Sequence, residues 1–519
     1  MGLTDENVCG TGVGRWMQLK KNRSISYRYS VMISMCILFF VTGILSQRDI
    51  PTKAVITPVH PRPTFSFYED VGSLKPGVIL SVNGKEEIIT DLQKAWDKAA
   101  GKSGATITLR SDETVSSTLV ATKDYRDVTI DLNGCVLKRS AGDTCRADGG
   151  VIKVSTNAKI TITDSDPDNY PNDRKTSDDN NKNFKLGAGG IITGGRNSSS
   201  GGGIRIEENG YLQIDGGTIC DNLSAVEGGG ISCAGKLYMN GGAIKYNSSS
   251  IANGDTHNGG GLVIEGDGMA DISGTTFEGN DSPCGGAIEI GNSGSLTIDE
   301  CIFKDNIADY SGGAIYINGA ESIVIVRNAE FTVNYAANGY GGAVWVRGEK
   351  VFFDSCDIHD NIAWLDGGGV YAAVTDDAGR GEGSSVNLQG KCIIDNNTSE
   401  KKKKVSNLSV DAQGNTRSKQ AIIHVGWLDS GSKIGINRDK AKVNACLVNG
   451  LREIDTKYFY ADSGELEFKK KGERTEVFMA TALTPMDKSV FFIAILILVG
   501  ISAVVIQAYK RRKKGDASL

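Results

Sequence analysis

Among 519 residues there are only 9 prolines, 4 histidines and 7% aromatics. The histidines, His60, His257, His359 and His424, are far apart in the chain. No Cys-x-x-Cys occurs among the 11 cysteines, whose number is odd and whose spacing is irregular. A metal or redox site built on a local motif is therefore not expected, and no cofactor is implied. Charge of one sign is also lacking. A net charge of -5 gives no electrostatic footprint for nucleic acid. The 66 glycines show no Gly-X-Y period, which excludes collagen.

Long apolar runs occur in two places. Residues 30–46 read SVMISMCILFFVTGILS and follow Lys20, Lys21, Arg23 and Arg28. This is the pattern of a signal peptide or uncleaved signal anchor, with residues 1–29 as its n-region or a cytoplasmic tail. Residues 489–509 read SVFFIAILILVGISAVVIQAY and run into Lys510, Arg511, Arg512, Lys513 and Lys514. About 20 apolar residues cross a bilayer, so 488–509 is expected to be a transmembrane helix. Basic residues accumulate on the cytoplasmic side, which makes 510–519 a cytoplasmic tail and places everything between the two runs outside the cell.

A repeat organises that outer part. A Gly-Gly element starts at Gly201, Gly228, Gly259, Gly285, Gly312, Gly341 and Gly367, at intervals of 26 to 31 residues. Each is followed by a second element closing at an asparagine, read as Asn222, Asn247, Asn280, Asn306, Asn334, Asn361 and Asn396. Within a unit apolar and polar residues alternate with strand period. Ile288 and Ile290 flank Glu289, Leu296 and Ile298 flank Thr297, and Phe303 stands alone before Asn306. Three short strands cannot close a core, but coils stacked ~4.8 Å apart bury one continuously. The fold class is all-β: a right-handed, single-stranded parallel β-helix, a pectin lyase-like solenoid with three strands per coil. Right-handedness follows from the usual rule for parallel crossovers.

The flanking regions complete the organisation. Residues 47–76 are a Pro-containing spacer. Residues 77–104 form an N-terminal cap with a short helix from Thr90 or Asp91, since an open solenoid end exposes core and strand edges. Coils occupy 105–400, and a β-rich C-terminal segment occupies 401–487.

At GGAI (from Gly285 and Gly312), GGAV (from Gly341), FEGN (from Phe277), FKDN (from Phe303) and FTVN (from Phe331) the chain resembles the polymorphic outer membrane protein type of repeat. At TDLQKAWDKAAGKSGATITL (from Thr90), VTIDLNGCVLKRS (from Val128), VIKVSTNAKITITDS (from Val151) and AIIHVGWLDSGSKIGI (from Ala421) it also looks like adhesin-like β-helix proteins of gut-type Gram-positive bacteria, and the match covers roughly residues 80–480. The first of these families ends in an autotransporter barrel, whereas this chain carries an apolar run and a basic tail. The resemblance therefore implies display on the membrane of a Gram-positive cell and a binding role toward glycan, matrix or another cell surface. A surface polysaccharide lyase or hydrolase and a purely structural stalk are the alternatives.

The candidate ligand-binding residues are Tyr316, Trp345 and Tyr371. They hold the outward position of the first strand in three successive coils, after Arg205, Ser232, Val263 and Glu289. Tyr310, Tyr340 and Trp364 lie just before the neighbouring Gly-Gly turns. The carboxylate pairs Asp178–Asp179 and Asp376–Asp377 read as loop charges, not as a catalytic pair. Asp164, Asp166 and Asp168 begin like a calcium loop, but Asn169 and Lys175 stand where that loop needs glycine and glutamate. Cys301 and Cys356 lie two coils apart, beyond disulfide reach, and read as small buried residues.

Overall fold

The computed structural model describes residues 76–479 except 141, 143, 169–188, 251–257, 292, 375–383, 412–420 and 440–445. Both apolar runs, the basic tail, most of the spacer and the pairs Asp178–Asp179 and Asp376–Asp377 lie outside the described residues. Among those described, no helix is long and apolar enough to cross a membrane.

One coil shows how the sequence closes on itself. Its strands are Ile288–Ile290, Ser295–Asp299, Ile302–Lys304 and Ile307–Ser311. Each pairs in parallel with its equivalents in the coils before and after: Ile288 with Leu262 and Ile315, Thr297 with Asp271 and Ile325, Phe303 with Phe277 and Phe331. Ile288, Ile290, Leu296, Ile298 and Phe303 are all fully buried in the continuous core. The alternation read from the sequence is thus the inside–outside alternation of a parallel β-helix. Along the second ladder, twelve parallel rungs run from Thr106–Leu109 to Cys446–Leu451, a rod of about 53 Å at ~4.8 Å per rung.

Two expectations need correction. Coils contain a fourth short strand, from Arg196–Asn197 through Thr398–Ser399. It escapes a reading by periodicity because most of its members are two residues long. Its buried residue is small: Ser224, Ser249, Ala308, Ala336, Ala363 and Ser399. Nor do the coils stop at 400. Parallel pairing continues through Lys433–Asp439 to Phe459–Ala461, and Lys404–Val405 merely turns back on Thr398–Ser399.

The repeat asparagines form one buried ladder. The backbone N–H of Asn306 donates to Oδ1 of Asn334 at 3.1 Å, and its Nδ2 donates to the same oxygen at 2.9 Å and to the Phe277 carbonyl at 3.0 Å. Asn222, Asn247, Asn280, Asn334 and Asn361 repeat this pattern. The next member is Asn397, not Asn396. Strand register sets Ile394 opposite Ile358, which brings Asn397 to the level of Asn361 and leaves Asn396 in the turn at φ 57°. The ladder continues through Asn407 and ends on Asp462, whose two oxygens accept from the Asn407 N–H at 2.6 Å and Nδ2 at 2.7 Å. Only acceptors are needed at a terminus, and a carboxylate supplies them.

That terminal carboxylate makes stability depend on pH. Burial raises its pKa to about 6, with Asp366 adding to the shift, against the Asn407 donors and Lys404. An unfolded aspartate titrates near ~3.9, so the folded state holds the proton more tightly. The stabilisation is therefore complete below pH ~4 and lost as pH rises through about 6, a change of about 2–3 kcal/mol. Urea unfolding at pH 4 and pH 7 checks this. The gap between parent and Asp462→Asn should shift by about that amount between the two pH values, and a constant gap would refute it.

The residue before each ladder asparagine from Asn222 to Asn397 is left-handed: Asp221, Tyr246, Gly279, Asp305, Val333, Asp360 and Asn396. Val333, at φ 56°, is the misfit, because a β-branched side chain crowds the carbonyl there. Val333→Asn is expected to stabilise the protein by about 1 kcal/mol, read as a higher denaturation midpoint.

The cysteines fill a corner column that equally accepts threonine or serine. Cys301 Sγ donates to the Ile272 carbonyl at 3.6 Å and Cys356 Sγ to that of Val326 at 3.4 Å. Thr275 and Ser432 also donate back to the preceding coil, their hydroxyls to the Gly241 and Gly390 carbonyls. Cys301 and Cys356 are free and buried, and burial pushes the Cys301 thiol up to about 11.

At the N-terminal end, Val78–Val82 and Lys85–Ile89 form a hairpin antiparallel to Thr106–Leu109. Helix α1 (Leu92–Ala99) is capped by Asp91, whose side chain accepts from Lys94 N–H at 3.0 Å. Its buried face of Leu92, Ala95, Trp96 and Ala99 covers the first coil. Trp96 stacks on Tyr125 at 4.7 Å and donates to the Val120 carbonyl.

Candidate functional site

The outward position of the first strand forms a continuous column. Arg205, Ser232, Val263, Glu289, Tyr316, Trp345, Tyr371 and Ser409 are register partners in successive coils. The column does not lie on an open face. At two Gly-Gly turns the chain entering the turn lies against the column of the next coil, Asn258 on Glu289 and Tyr340 on Tyr371, so that the strand is the floor of a shallow trough there. Gly285 shows why glycine is needed there. It sits at φ 62°, and an added Cβ would lie 2.3 Å from the Ile288 carbonyl and 3.1 Å from Cβ of Tyr316.

The trough is polar at both ends and aromatic between them. At one end Arg205 donates to Ser199 Oγ at 3.4 Å and Ser232 donates to Glu265. Glu289 is fully buried and accepts the Asn258 backbone N–H. At the other end the fully buried Asp366 accepts from Lys402 and Ser406, and from Asn437 Nδ2 at 3.2 Å.

Between them Tyr316 and Trp345 stack, ring centroids 4.3 Å apart and planes 13° off parallel. Both are partly exposed. Burial, with Cys284 and Glu289 nearby, pushes the Tyr316 phenol well above its usual range, so it stays a neutral donor. Tyr371 is only 3% exposed, because Tyr340 from the trough wall packs on it at 4.2 Å. The candidate strip is thus brought together as an open pair, Tyr316 and Trp345, and a covered member, Tyr371. Tyr310 at 48% and Trp364 at 36% are exposed rings standing shortly before neighbouring Gly-Gly turns in the chain.

Candidates for other chemistry take different places. Asp164 spends one oxygen on the Gly134 amide at 2.6 Å and the other on the Gly190 amide at 2.7 Å. It pins two corners together and has the role of a turn residue. A cluster missed in the sequence lies on the third ladder. His359 Nδ1 is 3.0 Å from Asp360, and its Nε2 is 3.4 Å from Glu330 of the preceding coil. Asp357 stands beside them, its carboxyl raised chiefly by burial. These residues are scattered over thirty positions and meet only through coil stacking, so no local motif marks them. Among the described residues, no group of three or more histidine, cysteine or carboxylate side chains is arranged to hold a metal.

Comparison with curated proteins and with solved structures gives no match. The family model described as a right handed beta helix region matches residues 260–425. That span contains the Gly-Gly turns from Gly285 to Gly367 and the asparagine ladder from Asn280 to Asn407. Over that span the chain is similar to this family, and the ladders of stacked parallel strands that continue on either side of it have the architecture of a parallel β-helix.

Proposed function

We propose that the chain is a rigid rod displayed outside a Gram-positive cell, held to its membrane by one or both apolar runs, and that it binds rather than catalyses. The partner is a glycan, a matrix protein or another cell surface. The observation that carries this reading is the Tyr316–Trp345 pair, stacked and partly exposed, with the exposed rings Tyr310 and Trp364 standing shortly before neighbouring Gly-Gly turns in the chain. Flat rings held rigidly on strands offer apolar contact at little entropic cost, and sugar faces match them in shape. Location and partner are inferences from the apolar runs and from the resemblance of the repeat.

A structural stalk is the second reading. It is favoured by Tyr371, which Tyr340 covers as an ordinary cross-strand packing partner. The two readings separate in one experiment. The full chain is screened against glycan and matrix-protein arrays, then compared with Trp345→Ser and Trp364→Ser. Tyr371 is left intact because its loss would harm packing. Binding is expected to fall about tenfold, or about 1.4 kcal/mol, with the circular dichroism spectrum unchanged. Undiminished binding by both folded variants would remove this strip as the site, and no binding to any array would favour the stalk.

A further inference from the structure

The two ends of the rod are finished differently. At the N-terminal end, α1 lays Leu92, Ala95 and Trp96 over the first coil. The C-terminal end has no such lid among the described residues. Its last element is a hairpin of Leu466–Lys471 and Arg474–Met479, the latter antiparallel to Cys446–Leu451. Phe468 lies directly opposite Val477 and so shares its face. Val477 is fully buried, yet Phe468 is 42% exposed. An ion pair of 2.8 Å from Lys470 to Glu453 holds this edge strand against the 3-10 helix Glu453–Tyr458. That helix carries Ile454, 65% exposed.

We propose that this end of the rod rests on the bilayer surface, with Phe468 and Ile454 set into the headgroup layer. The inference builds on the reading that residues 489–509 cross the membrane. Only nine residues, 480–488, separate the last described strand from that run, and nine residues reach at most about 30 Å. The C-terminal end is thereby confined near the lipid, whereas about thirty spacer residues separate the N-terminal cap from the other apolar run.

Electrostatics contributes little at this end. Lys469 pairs with Glu467, Lys471 with Glu476 and Arg452 with Asp455. Contact is therefore apolar and independent of lipid charge, as for side chains of the membrane interface. A second copy adding a strand is disfavoured, because the free edge carries Lys469, Lys470 and Lys471.

The test uses the full chain in phosphatidylcholine vesicles, with and without brominated acyl chains. Phe468→Trp, Ile454→Trp and, at the opposite end, Ile88→Trp each add one fluorophore at an exposed position. Quenching of the added signal is expected to be at least about twofold greater at 468 and 454 than at 88, in neutral lipid and at high salt alike. Equal quenching, with a tag after Leu519 still protected from external protease, would overturn the resting contact while leaving the anchor intact. Failure of the chain to float with vesicles would overturn the anchor, and this proposal with it. Quenching that needs anionic lipid would overturn apolar insertion.

Discussion

Asn306→Ala should destabilise the protein by about 4 kcal/mol and split its unfolding into two transitions. Asn306 is fully buried in the middle of the asparagine ladder. Its removal leaves the Asn280 N–H and Nδ2 without their acceptor, and the Phe277 carbonyl without the Asn306 donor. Each buried polar group stranded in this way costs ~1–3 kcal/mol, so three give several kcal/mol after partial relaxation. A hydrophobic replacement cannot compensate, because backbone groups remain to be satisfied. Aspartate cannot either: it retains acceptors but loses both side-chain donors to Phe277 and Asn334. Asp462 is acceptable because it stands last and has only to accept. A solenoid is coupled coil to coil, so a break at one rung separates the coils on either side. Equilibrium denaturation followed by circular dichroism measures both effects. A single transition displaced by less than 1 kcal/mol would mean that the ladder is not a principal restraint.

The sequence makes the ladder easy to detect and hard to register. Asparagines at a 25-to-36-residue spacing, each following a lone apolar residue by three, announce a stacked corner. Where two asparagines adjoin, at Asn396 and Asn397, the motif alone is ambiguous. The strand pairing of Ile394 with Ile358 resolves it. Cys392 carries the same information, standing five before Asn397 as Cys301 stands five before Asn306. The fourth strand leaves a different trace. Its buried residue, two after the ladder asparagine, must be small, and it is serine in Ser224, Ser249, Ser282 and Ser399. Asn222, Asn247, Asn280 and Asn397 therefore each begin an Asn-x-Ser pattern, which reads as a glycosylation acceptor. In the fold these amides are buried and fully engaged, so here the pattern arises from packing.

The outward column was legible as a register but not as a surface. Alternation tells which side chains leave the core, and it says nothing about what lies above them. Glu289 and Tyr371 are outward in register and buried in fact, because the chain leading into the preceding Gly-Gly turn lies against them, Asn258 on Glu289 and Tyr340 on Tyr371. Such long-range covering has no local signature. The same holds for the His359 cluster, whose members become neighbours only when coils are stacked in the observed register. Periodicity thus gave the core and the order of coils, while exposure depended on connections whose paths no pattern encodes.

Phe303→Ala is expected to cost about 3–5 kcal/mol. Phe277, Phe303 and Phe331 stack through the core with centroids 4.8 and 4.5 Å apart and planes within 6° of parallel. All three are fully buried. Parallel in-register strands impose this face-to-face geometry, because equivalent side chains leave adjacent rungs in the same direction. Deleting the middle ring removes contacts on both of its faces. The neighbouring rings cannot close the gap, since their backbones are fixed by the Asn306 and Asn361 rungs. The loss should therefore fall in the upper half of the range, with a cavity left behind. Phe303→Leu keeps much of the volume and matches the Ile244 and Ile358 already used in this column, so it should cost only about 1–1.5 kcal/mol. Chemical denaturation of both variants gives the two values. A loss below 1 kcal/mol for alanine, or equal losses for alanine and leucine, would mean that the ring stack is not what packs this part of the core.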